Sequence, residues 1–63
     1  MLTLYARNPK QLDICLRLLY AEKIQFFVDV RENAKGKIFY EVSVLTNEIV
    51  FQSLKEKYRV MTA

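Results

Sequence analysis

The segment from Ile24 to Leu45, IQFFVDVRENAKGKIFYEVSVL, alternates apolar and polar residues twice around a charged turn, and few folds accept that pattern. A period of two sends successive side chains to opposite faces of a strand. Ile24, Phe26, Val28 and Val30 then share one face of a first strand, and Ile38, Tyr40, Val42 and Val44 one face of a second. Each strand leaves a phenylalanine on its polar side: Phe27 beside Gln25, Asp29 and Arg31, and Phe39 beside Glu41 and Ser43. Opposed residues of an antiparallel pair lie on the same side of a sheet, so the numbers of paired residues must sum to an even value. Pairing Val30 with Tyr40 sets Asp29 opposite Glu41 and Arg31 opposite Phe39. Pairing Val28 with Tyr40 sets Phe27 opposite Glu41 and Arg31 opposite Lys37. Each register contains one like-charge pair, so charge leaves both open.

The flanking segments complete the expected fold. Leu2 to Arg7 alternates as a strand, and Asn8-Pro9-Lys10-Gln11 then signals a helix start. Asn8 suits the N-cap, Pro9 the first helical position, and Gln11 stands three residues after the cap. This helix should reach about Glu22 or Lys23. Leu12, Cys15, Leu16 and Leu19 recur at helical spacing and make its core stripe. Ile14, Leu18 and Ala21 make a second stripe, either buried against the other helix or free to meet another chain. After the hairpin, Thr46 is the expected N-cap of a second helix, with Val50, Phe51, Leu54, Tyr58 and Met61 as its apolar stripe. The order β-α-β-β-α belongs to the α+β class: a three-stranded sheet carrying both helices on one face, an incomplete ferredoxin-like or thioredoxin-like unit. Such a unit leaves open sheet edges that must be managed, and pairing with a second chain is one way to do so.

Composition narrows the chemistry. The 63 residues make one small domain, with a single cysteine and no histidine. No internal disulfide can form, no Cys/His cluster can hold zinc, and the commonest general base near neutral pH is missing. Gly36 is the only glycine, so there is no glycine-rich phosphate loop. No cofactor, metal or catalytic residue is expected. Asp29 and Glu41 read as solvated charges or partners of Arg31 rather than an acid/base pair, and Cys15 as a core thiol. The N-terminus lacks the pattern of a signal peptide, and no run approaches the ~18 apolar residues of a membrane span. A cytoplasmic location without membrane partners is the expectation.

The stretches LTLYARN and IQFFVDV, with a helix between them, resemble the opening β-α-β of glutaredoxins, including the small redoxins that serve ribonucleotide reductase. The similarity covers about the first thirty residues. It implies a topology and nothing more, because the family's Cys-x-x-Cys belongs at the strand–helix junction, where this chain reads NPKQLD and Cys15 falls too far along the helix. The family's later Thr-x-Pro loop would fall near Met61-Thr62-Ala63. No redox site carries over.

A small protein-binding module without catalytic activity is therefore the expected function: an adaptor, inhibitor or regulatory subunit, a role common among phage-encoded chains of this size, and one that self-associates as a homo-oligomer. Phe27 and Phe39 are its expected anchors, Arg31 and Glu41 orient the contact, and Ile14 and Leu18 offer a second surface. The alternative is a single-stranded RNA or DNA binder that stacks bases on the sheet aromatics and holds phosphate with Arg31, Lys35 and Lys37. Asp29 and Glu41 on the same face would repel phosphate, and the net charge of +3 is mild.

Overall fold

The computed structural model describes residues 2–63. Its elements are β1 (Leu2–Ala6), α1 (Pro9–Ala21), β2 (Gln25–Glu32), β3 (Ile38–Leu45) and α2 (Glu48–Thr62). The strands form one open sheet in the order β1-β3-β2, antiparallel at both pairings. β1 and β2 therefore run parallel with β3 inserted between them. This is the split β-α-β of a ferredoxin-like unit without a fourth strand.

The hairpin takes the first of the two even registers, with Val30 opposite Tyr40, Asp29 opposite Glu41 and Arg31 opposite Phe39. Turn geometry decides what charge could not. The strands close on Asn33 and Lys37, where the Asn33 N–H donates to the Lys37 carbonyl at 2.9 Å. The three-residue loop between them ends on Gly36 at φ +80, the left-handed position such loops require. The other register would move the only glycine out of that place. Asn33 also locks the loop, since its Oδ1 accepts the N–H groups of Lys35 and Lys37 at 2.9 and 3.0 Å.

Both helices begin on asparagine. Asn8 Oδ1 accepts from the Gln11 N–H at 2.9 Å, and the Gln11 side chain reaches back to the Arg7 N–H. The cap of α2 is Asn47, not Thr46: its Oδ1 accepts from Val50 N–H at 2.8 Å. Asparagine is at least as good a cap as threonine, and the one-residue shift leaves Thr46 in the bend between the end of β3 and the helix. α1 ends in a Schellman motif, with Ile24 N–H donating to the Leu19 carbonyl and Lys23 N–H to the Tyr20 carbonyl. Lys23 occupies the left-handed position of that motif, at φ 56.

One core joins the layers. Leu4, Val42 and Val44 from the sheet pack with Cys15 and Leu19 of α1 and with Phe51, Leu54 and Tyr58 of α2, so both helices lie on the even-numbered face. Each leucine buried this way contributes about 1.5–3 kcal/mol. Ile14 and Leu18 are half-buried against this core, and Met61, expected in the α2 stripe, is mostly exposed. Cover is uneven across the sheet. In the row Leu4–Val42–Val28 the first two are buried while Val28 is 37% exposed; in the row Ala6–Tyr40–Val30 exposure climbs to 64% at Val30. The apolar face of the hairpin is therefore only partly sheltered, because the helices sit over β1 and β3 and reach β2 only at Phe26, whose ring meets Tyr20 of α1.

Left-handed backbone costs a residue with a Cβ about 1 kcal/mol, a penalty glycine escapes. Lys23→Gly should accordingly raise stability by about 1 kcal/mol in urea denaturation; an unchanged or lower midpoint would contradict the assignment of Lys23 to the Schellman position.

Candidate functional site

Among the described residues, no helix covers the odd-numbered face of the sheet. Cross-strand pairing orders its side chains in rows: Thr3, Ser43 and Phe27; Tyr5, Glu41 and Asp29; then Phe39 and Arg31. Phe27 is 58% exposed, as the alternation required of a ring on the uncovered side. Phe39 is half-buried, because β3 is the central strand and Tyr5 leans on it with ring centroids 6.3 Å apart. Phe27 and Phe39 share the face but not a contact. They are four residues apart in register, about 13 Å along the strands. Between them lies the charged row.

That row is electrically unbalanced. Asp29 and Glu41 are directly opposed, an arrangement that destabilises a sheet. Arg31 relieves half of it through an ion pair with Glu41 at 3.5 Å. Among the described residues, no cation lies within 4.0 Å of the Asp29 carboxylate. Exposed pairs such as this contribute at most about 1 kcal/mol, so Arg31–Glu41 serves orientation more than stability.

Tyr5, 59% exposed, belongs to this surface but escaped the sequence reading. Its odd number in an alternating strand was visible; its place beside Phe39 needed the strand order. Tyr5, Arg7, Lys37, Ile38 and Phe39 also line a shallow hollow of about 470 Å³ at the end of the sheet near the hairpin tip. Of the basic residues expected to act together, Lys35 and Lys37 share the tip, whereas Arg31 is turned to Glu41.

The two sheet edges differ. Asn33–Lys37 is a hydrogen-bonded pair, and such pairs alternate along an antiparallel ladder, so odd residues of β2 bond inward to β3. The same alternation makes even residues of β3 bond to even residues of β1. β1 thus presents odd residues at its free edge, and side chains cap them: the Tyr58 hydroxyl donates to the Tyr5 carbonyl at 2.8 Å, and Gln11 Oε1 accepts from the Arg7 N–H at 2.9 Å. β2 presents the N–H and C=O groups of Phe26, Val28, Val30 and Glu32, and no described side chain caps them.

Among the described residues, no group of three His, Cys, Asp or Glu side chains is placed to hold a metal, and no helix is long and apolar enough to cross a membrane. Compared with known proteins, the chain matches no family model, no curated protein and no solved structure.

Cys15 is buried in the core, and that burial pushes its thiol up from 9.0 to about 11. The folded state then holds the proton more tightly than the unfolded chain. This contribution to stability is complete below pH 9 and is lost as the pH rises to about 11. Urea midpoints should fall between pH 9 and 11 more steeply in the wild type than in Cys15→Ala; equal slopes would show that the thiol is not shielded.

Proposed function

We propose that this chain is a non-catalytic protein-binding module, an adaptor, inhibitor or regulatory subunit that self-associates and meets its partner through the helix-free face of the sheet. The observation that carries this reading is the pairing of exposed rings, Phe27 and Tyr5, with charges of both signs from Asp29, Arg31 and Glu41 on one uncovered surface. Exposed large apolar side chains grouped on one surface mark an interaction site where single ones do not, and aromatic anchors within a polar rim are the composition of protein interfaces. Ile14 and Leu18 take a smaller part, since both lean on the core.

A second reading draws on the hollow lined by Tyr5, Arg7, Lys37 and Phe39. Rings beside cations favour single-stranded nucleic acid, with bases stacked on the aromatics and Lys35 close by to meet phosphate. The acidic row next to it favours protein.

Affinity capture from host extract, with and without nuclease, separates the two. Phe27→Ser leaves the fold unchanged by circular dichroism and removes the captured protein, while nuclease has no effect. Retention of the same protein by Phe27→Ser would refute the placement of the contact on this face, and a capture that nuclease abolishes and Lys35→Glu with Lys37→Glu weakens would refute the protein-binding reading in favour of the other.

A further inference from the structure

We propose that the surface of self-association is the free edge of β2, which pairs antiparallel with β2 of a second copy about a two-fold axis at Val30. The inference rests on the reading above only in taking the chain to self-associate; it does not depend on what the helix-free face binds.

Three features of β2 single out this edge. It is 8 residues long, against 5 in β1, and its outward backbone groups lack the side-chain caps found on β1. Beyond Phe26, which packs against the core and meets the Tyr20 ring, it is uncovered on both faces, with Val28 and Val30 exposed on the helix side and Phe27 on the other. A long, exposed apolar edge is a template for strand pairing unless something blunts it. Asp29 is the third: a carboxylate set against Glu41 on an edge strand, with no cation of its own chain within reach among the described residues.

Only certain registers suit two copies of this strand. Face continuity again demands an even sum, so the axis falls on a residue, and the candidates that keep most of β2 paired centre on Val28, Asp29 or Val30. Centring on Asp29 opposes the two Asp29 carboxylates in a pair without backbone hydrogen bonds, where side chains come closest. Centring on Val28 sets each Asp29 opposite Phe27 and within diagonal reach of the other Asp29. Centring on Val30 sets Asp29 of each copy opposite Arg31 of the other. That register supplies the missing cation twice by symmetry. It places the mostly exposed Val30 against Val30 on the axis and Val28 against Glu32, whose aliphatic stem covers it. The outward even residues become the hydrogen-bonded pairs, in the alternation antiparallel strands require. Two three-stranded sheets join as one of six strands, leaving the capped β1 edges outside. Each Arg31 then lies between Glu41 of its own chain and Asp29 of the other.

Charge reversal tests both surface and register. Wild type should sediment at twice the 7.5 kDa of one chain at millimolar concentration. Asp29→Arg places two guanidinium groups opposite each other across the interface, and Arg31→Asp places two carboxylates there. Each variant alone should keep the wild-type circular dichroism spectrum and sediment as a monomer. Mixed, the two variants are complementary and should recover the dimer mass. Val30→Cys gives a fold-independent check of register: opposed Cα atoms in a hydrogen-bonded pair lie about 5.5 Å apart, within disulfide reach, so mild oxidation should cross-link it. Phe27→Cys, whose two copies would be roughly 20 Å apart, should not cross-link. The native Cys15 is buried and does not compete. A wild type that stays monomeric, charge variants that remain dimers, a mixture that does not reassociate, or cross-linking at Phe27→Cys instead of Val30→Cys would each overturn the proposal.

Discussion

The double pairing of β3 is the constraint on which the rest of this structure depends. A strand bonded on both sides has no free edge, and alternation sends its even residues under the helices and its odd residues to the open face. Val42 and Val44 are buried for that reason, and Phe39, Glu41 and Ser43 form the spine of the uncovered surface. The same pairing makes β1 and β2 the two edges and fixes which backbone groups each presents. Core, face and edges are three readings of one strand.

The helices break the symmetry between the edges. α1 and α2 pack over β1 and β3, and Tyr58 and Gln11 reach round to satisfy the backbone of β1. No described element does the same for β2. A domain this small has little spare apolar area, and Val28, Val30 and Phe27 leave part of it in water. The proposed pairing of two copies would bury part of that area without a larger core. Asp29 adds an electrostatic reason, since it is opposed by Glu41 within the chain and by Arg31 across the axis in the register centred on Val30.

Much of the fold was legible from local pattern. The order of elements, the parity of the hairpin, the first helix cap and the exposure of Phe27 all follow from period and side-chain chemistry near each residue. The choice between the two even registers was legible too, through the demand that Gly36 occupy the left-handed loop position, although charge alone left it open. What could not be read needed the third dimension. Tyr5 joins Phe39 because β1 lies beside β3, a fact of strand order. Val28 and Val30 carry a core-facing pattern, yet they stay exposed because the helices are displaced towards β1. Asn47 rather than Thr46 caps α2 because two good capping residues stand side by side and the end of β3 decides between them.

Hydrogen exchange resolved at single amides tests the central claim, that β2 offers an unpaired edge which a second copy fills. The amides of Phe27, Asp29 and Arg31 point to β3 and should be protected at every protein concentration. Those of Val28 and Val30 should exchange rapidly in dilute solution and become protected as concentration rises. Rapid exchange of Val28 and Val30 at all concentrations would contradict the account, as would protection that persists on dilution.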